Sequence, residues 1–291
     1  MKLSIVIGLF LSFFVSSLQA ASDTASSAQV KNICEQIGKK LSSVSTKECL
    51  TIGFAPPRFF SVSGAPLLEK RFHSHHANAT RILFIGGIHG DEYSSVSVTF
   101  KWLKHMQQKS ARAYDWLFMP LTNPDGLLQA KSTRVNGRQV DLNRNFIPAE
   151  HALDPVLHWK EKAYSRARYY PGEHPLSEPE AKAIHTLIDE YQPHIIVSVH
   201  APHGILDFDG SSLNKPTKLG PLRLKQLGTY PGSLGNYAWF VKGIPVMTIE
   251  LTHAGIMPTD KDIGSMWGDL LTWVEKKSTE INPVIYAEQK K

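Results

Sequence analysis

The sequence predicts an α/β domain built on a mostly parallel sheet, and three observations predict it. First, Ile82-Leu83-Phe84-Ile85, Trp116-Leu117-Phe118-Met119, Ile195-Ile196-Val197-Ser198-Val199 and Pro245 to Ile249 are short, nearly continuous apolar runs. Runs of that length suit strands buried on both faces. Second, stretches with helical apolar spacing lie between and after them: Tyr93, Val96, Phe100 and Leu103, then Ile184, Leu187 and Ile188, then Ile263, Trp267, Leu270, Leu271 and Val274. Third, residues with chemistry to offer stand at or just beyond the C-terminal ends of these strands, where open α/β sheets bind ligands.

At 291 residues the chain can bury a full core as one domain, or at most two. Residues 1–20 read as a secretory signal. Lys2 supplies the positive end, Leu3 to Val15 the apolar stretch, and Ser17-Leu18-Gln19-Ala20 the small-residue cleavage context. The apolar run is short for a retained anchor, and no later segment is long and apolar enough to span a bilayer, so no stable membrane insertion is expected after cleavage. An exported, periplasmic protein follows as the expectation. Residues 21–58 form a separate N-terminal segment: a polar linker, then Val30, Ile33, Cys34, Ile37 and Leu41 at helical spacing, ended by Pro56-Pro57. Cys34 and Cys49 are the only two cysteines. Export would let them pair as a disulfide worth roughly 3 kcal/mol, the alternative being two buried thiols. A cysteine zinc site is excluded because nothing completes it. The net charge of +6 is diffuse, without a basic, aromatic-interleaved helix, so no nucleic-acid partner is expected.

The main domain is assigned to 59–280. Phe59 to Phe72 is expected to hold edge strands, and His73, His75 and His76 a solvated loop. In Gly86-Gly87-Ile88-His89-Gly90-Asp91-Glu92 the first strand ends and a helix begins, with glycines that let the backbone bend and leave the site open. A spacing of three puts His89 and Glu92 on one side of a turn, close enough to share a metal ion. Alone, His-x-x-Glu is more often a solvated helix start. Asn123-Pro124-Asp125-Gly126 reads as a turn after the second strand. Asn143, Arg144 and Asn145 then offer donors suited to a carboxylate, with arginine supplying the planar fork. The stretch 149–170 is polar and aromatic, with no legible role. Ser177 and Glu180 are spaced as a capping box.

His200 stands at the end of the third strand and becomes the natural third ligand, with His203 ranked behind it. Two histidines and a carboxylate with an open fourth position suit a catalytic rather than a structural zinc. Glu250, ending the fourth strand, is placed for the general base that metal-assisted hydrolysis needs.

Taken in order, His89-Gly90-Asp91-Glu92, Asn123-Pro124-Asp125-Gly126, Asp141-Leu142-Asn143-Arg144-Asn145-Phe146, Ser177-Glu178-Pro179-Glu180, His200 and Glu250 resemble the zinc carboxypeptidases of the funnelin type. The likeness runs from about Arg81 to about Leu251. Within that family, Thr133-Arg134-Val135-Asn136, Ser198-Val199-His200-Ala201-Pro202 and Tyr230-Pro231-Gly232-Ser233-Leu234-Gly235 are similar to the murein tripeptide amidases, which cut between γ-D-glutamate and meso-diaminopimelate. The resemblance implies a single-domain fold with a mixed sheet, one zinc held by His89, Glu92 and His200, Glu250 as proton carrier and Arg134 at the oxyanion. It implies that Asn143 and Arg144 hold the substrate carboxylate and that Tyr230 closes over a murein peptide. Asp207 and Asp209 could meet an amino group of the substrate, although a polar loop is the plainer expectation. The competing functions are a general exported zinc carboxypeptidase, an acyl-amino-acid deacylase, and a non-catalytic peptide-binding protein, for which Glu250 would have no use.

Overall fold

The structure is a computed structural model that describes residues 25–106, 113–213 and 215–281. The stretch 1–20, expected from its sequence to be a secretory signal, lies outside the described residues.

After a helix over 25–40 (α1) come α2 (Thr46–Thr51), β1 (Lys70–Phe72), β2 (Arg81–Ile85), α3 (Tyr93–His105), β3 (Asp115–Met119), α4 (Pro124–Leu128), α5 (Pro155–Glu161) and α6 (Pro179–Tyr191). The chain continues through β4 (Ile195–His200), β5 (Ile205–Asp209), β6 (Lys218–Leu219), β7 (Leu222–Arg223), α7 (Leu234–Asn236), β8 (Val246–Glu250) and α8 (Asp260–Ile281). Six strands form the main sheet in the order β1-β3-β2-β4-β8-β5. The four inner strands are parallel, and β1 and β5 close the two edges antiparallel. Because β3 lies on one side of β2 and β4 on the other, the strand order reverses at β2, the position at which a crevice opens.

Alternation along β2 explains why its run is apolar throughout. Ile82 and Phe84 belong to one core, with α1, α2, α3 and α8, while Leu83 and Ile85 belong to the other, with α6 and α7. The first core is aromatic: Phe84 stacks on Phe118 at 4.7 Å and meets Trp102 edge-on at 5.5 Å, and Trp116 lies 5.5 Å from Trp267. The N-terminal segment is part of this core. Cys34 and Cys49 are fully buried and joined by a disulfide, with Cα atoms 5.5 Å apart.

Local expectations fail in three places. Asn123-Pro124-Asp125-Gly126 is not a free turn but the start of α4, with the Asn123 side chain accepting from Gly126 N at 2.8 Å. Ser177 is not the cap of α6. Glu178 holds that position without a side-chain cap bond, while the Asn136 amide donates to Glu178 at 2.8 Å and to Glu180 at 3.0 Å. Both glutamates are buried, and satisfying them there outweighs a surface capping box. Asp207 and Asp209 lie on β5 rather than in a loop.

Candidate active site

His89, Glu92 and His200 meet at the C-terminal ends of β2 and β4, with one ligand atom from each lying within 4.8 Å of the others. All three are buried. The geometry has an inner and an outer side. Inward, His89 Nδ1 lies 2.7 Å from Glu92 Oε1 and 3.3 Å from His200 Nδ1, and His200 Nδ1 lies 3.2 Å from Glu92 Oε2. Outward, His89 Nε2 is held by Asp141 at 3.1 Å and His200 Nε2 by Ser198 Oγ at 3.0 Å. Glu92 Oε2 also accepts from Ala201 N at 3.2 Å. Although Glu92 is the N-cap residue of α3, its carboxylate caps nothing and turns into the cluster instead.

The donor set fits zinc. Two nitrogens and a carboxylate converge, and a second polar atom fixes each imidazole from behind, as metal-binding histidines require. His203 lies outside the cluster and is exposed. Gly90 is required by close approach rather than by openness: a Cβ there would meet Gly126 C and Leu127 N at 2.3 Å, so the loop carrying His89 packs against the start of α4.

Electrostatics follow from this crowding. Burial would push the His89 imidazole down and Arg134 adds to that, yet Glu92 and Asp141 together hold it above its ordinary value. Burial opposes the charge on Glu92 and Asp141 too, but His89 and His200 hold the first, and Arg134 and His89 the second, well below the usual carboxylate range. Arg134 donates from Nε to Asp141 at 2.9 Å and brings its other arm to 3.6 Å from Glu92. Glu250 pairs in register with His200 across β4 and β8, is buried, and has His203 N 3.5 Å from Oε2.

These residues open into one cavity of about 580 Å³. Asn143 and Arg144 line it from the turn after Asp141, and neither is ion-paired among the described residues. The Arg144 guanidinium sits 4.2 Å from the Tyr230 ring, and Tyr230 is 47% exposed. Burial and the repulsion of Arg134 hold Arg144 below its ordinary pKa, despite the attraction of Asp141. On the β5 side stand Asp207, which accepts from Phe208 N at 2.9 Å and Leu227 N at 3.1 Å, and Asp209, which accepts from no donor among the described residues. Burial, reinforced by Asp207, pushes the Asp209 carboxyl up to about 7. Gly235 leaves the space for it, since a Cβ there would lie 2.0 Å from Asp209 Oδ2.

The structure therefore brings His89, Glu92, His200, Glu250, Arg134, Asn143, Arg144 and Tyr230 around one cavity. Sequence reasoning gave no role to Asp141, although a ligand histidine's need for a carboxylate behind it was a usable signal. It also missed the stretch 149–170, which walls the cavity. There α5 starts on Asp154, whose carboxylate accepts from Val156 N and Leu157 N at 2.9 Å, and Arg168 reaches Asp91 at 2.8 Å.

Comparison with known proteins points the same way. A zinc carboxypeptidase family model matches residues 48–217. Murein peptide amidase A of Escherichia coli K12 is 37% identical over 144 residues, which span 49% of this chain and 57% of that protein. Murein peptide amidase A of Vibrio campbellii is 31% identical over 199 residues, 66% of this chain and 76% of that protein. The crystal structure of murein-tripeptide amidase from Escherichia coli O157 superposes with a TM-score of 0.52 at 28% identity, covering 76% of this chain and 94% of that one. Bovine thrombin-activatable fibrinolysis inhibitor, at 18% identity and a TM-score of 0.57 over 77% of this chain and 88% of its own, shares the fold.

Proposed function

This chain belongs to the zinc carboxypeptidase family, and from that premise we propose that it is a zinc-dependent amidase cutting the γ-D-glutamyl–meso-diaminopimelate bond of murein peptides. What carries the reading is the single cavity in which His89, Glu92 and His200 converge beside Glu250 while Arg144 has no ion-paired partner among the described residues. A closed set of ligands, a base next to them and an open anion site make up a hydrolase of terminal amides.

His89, Glu92 and His200 would hold one zinc ion. Zinc held there would supply Lewis-acid polarisation of the scissile carbonyl and a water acidic enough to act as a nucleophile near neutral pH. Arg144 and Asn143 take the carboxylate adjoining the scissile amide, the arginine as a planar fork. Asn143 is pre-set for this, because Leu234 N occupies its Oδ1 at 2.8 Å and leaves the amide nitrogen to the cavity. Glu250 accepts the proton of the attacking water and returns it to the leaving amine. Arg134, held by Asp141, neutralises the oxyanion in a largely buried setting. Tyr230, stacked over Arg144, covers the substrate once the carboxylate is seated.

Asp207 and Asp209 support the choice of substrate within the family. A carboxylate in the cavity wall without a donor among the described residues is matched by the ammonium of the zwitterionic head that ends diaminopimelate's side chain. Murein peptides are also what the named relatives act on by their names. Action outside the cytoplasm, in the periplasm, is supported by the leader-like start of the sequence and by the Cys34–Cys49 disulfide.

The deciding experiment incubates the zinc-loaded protein with L-Ala-γ-D-Glu-meso-diaminopimelate, its lysine counterpart and a plain α-linked peptide ending in a neutral residue, and reads products by mass. The first should be favoured over the last by about 10² or more in kcat/KM, because losing a charged partner leaves buried polar groups unpaired. Equal rates on all three would favour a general carboxypeptidase. No hydrolysis of any would favour a deacylase or a binding protein.

A further inference from the structure

We propose that the disulfide-linked N-terminal segment is an intramolecular brace that positions Arg134, with Lys40 as the positioning residue. The proposal takes the oxyanion role of Arg134 from the functional reading above.

Arg134 needs a brace because of where it sits. It lies on an irregular stretch after α4, outside any helix or strand. From inside the domain, Asn123 Nδ2 donates to Arg134 O at 3.0 Å, and Thr133 N donates to Gly126 O at 3.0 Å. From outside, the support comes from α1. Lys40 Nζ donates to Gln129 O at 2.5 Å and to Ala130 O at 3.2 Å, across 89 and 90 residues of sequence. The same ammonium lies 5.7 Å from the Tyr93 ring. Tyr93, the residue after Glu92, donates from its hydroxyl to Ser132 Oγ at 2.8 Å, and Ser132 Oγ donates to Leu127 O at 2.6 Å. One charged donor thus holds two carbonyls of the stretch and faces the tyrosine that holds a third point.

Lys40 can do this only if the end of α1 is fixed, and the segment is built to fix it. The disulfide joins Cys34 in α1 to Cys49 in α2, closing a separation of 15 residues. Between the helices, Ser43 Oγ donates to Ser97 Oγ of α3 at 2.7 Å, tying the connection to the helix that begins beside Glu92. Gly38 lets α1 approach Thr46 so closely that a Cβ would meet the Thr46 hydroxyl at 2.4 Å. The effect on turnover follows from position. A guanidinium that stabilises charge only in the transition state loses most of its value when displaced, and a shift of about 1 Å can cost about 10²-fold.

The test compares Lys40→Met, Lys40→Arg and the Cys34→Ser/Cys49→Ser pair with the wild-type chain, avoiding reductants that would compete for zinc. Two quantities are read. One is the rate of tryptic cleavage after Lys131, exposed within the braced stretch and identified by fragment mass. The other is the split between kcat and KM on the murein tripeptide, with zinc content and Tm as controls. Lys40→Met should speed cleavage at Lys131 and lower kcat, each by about tenfold or more, with KM, zinc and Tm nearly unchanged. Lys40→Arg should restore both, and the serine pair should move both in the same direction as Lys40→Met. The proposal is overturned if Lys40→Met leaves either cleavage at Lys131 or kcat unchanged. If the wild-type chain does not turn over the tripeptide, the functional reading fails on its own, and protection of Lys131 still decides whether the brace exists.

Discussion

The two halves of the cavity treat their polar groups in opposite ways. In the half at the ends of β2 and β4, His89, Glu92, His200, Asp141 and Arg134 are buried or nearly so and partner one another on almost every side. In the half formed by β5 and the stretch around Tyr230, Asp209 accepts from no donor and Arg144 meets no carboxylate among the described residues. Satisfied groups are preorganised, so little reorganisation is needed when charge develops. Groups left without partners are costly in the free protein, and a ligand of complementary charge recovers that cost. The first half is thus suited to chemistry and the second to selection. Breaking each half should give different kinetic signatures.

The largest effect is expected from Glu250→Gln. The change keeps shape and hydrogen-bonding capacity but removes the proton acceptor, so the loss should fall on kcat, by about 10² to 10⁴. KM and zinc content should stay near wild type, because Glu250 lies outside the ligand cluster. Steady-state kinetics with metal analysis checks this. A variant with near wild-type kcat would move the base elsewhere.

Next comes Asp141→Asn, which cuts the closed half at its rear. Asp141 holds His89 Nε2 at 3.1 Å and Arg134 Nε at 2.9 Å, so one substitution weakens both a ligand and the oxyanion arginine. Zinc affinity should fall by about 10- to 10²-fold, measured by competition with a chelator and so independently of turnover. An unchanged affinity would mean that the imidazole needs no carboxylate behind it.

The sequence made one of these halves more legible than the other, and the reason is physical. Strands buried on both faces announce themselves by composition, and residues at their C-terminal ends are candidates by topology alone, so His89, Glu92, His200 and Glu250 stood out. Asp141 did not, because its contact with His89 spans 52 residues and leaves no periodic trace. The capping box at Ser177 and Glu180 misled because local spacing cannot show that Asn136 will reach Glu178 and Glu180 from 42 and 44 residues away. Asp207 and Asp209 looked like loop residues because β5 is an edge strand with an alternating pattern, Ile205, Leu206, Asp207, Phe208, Asp209, that is weaker than the inner runs. The wall formed by 149–170 had no apolar period to read, since it packs through Asp154, Trp159 and Arg168.

The smallest effect, and the sharpest probe of the open half, is the pH response of Asp209→Asn. In the folded protein the Asp209 carboxyl is raised to about 7 from an ordinary value of 3.8, burial being the first cause and Asp207 the second. A raised folded-state pKa means that the protonated form is favoured by folding. Its contribution is fully present below the unfolded value and is lost as pH climbs through about 7. Wild-type Tm should therefore drop relative to the asparagine variant between about pH 4 and pH 7, by several degrees, and the two should converge below about pH 4. Substrate binding should run the other way. The ammonium of diaminopimelate's zwitterionic head, facing Asp209, favours the ionised carboxylate, so wild-type KM for the diaminopimelate tripeptide should fall as pH rises through about 7, and the variant should lose that step. Tm profiles between about pH 3.5 and pH 8, and KM profiles between about pH 5 and pH 8, check both signs. A KM step that survives in Asp209→Asn would show that the acid pair of β5 does not meet the substrate, and selection would then have to come from the wall at 155–169.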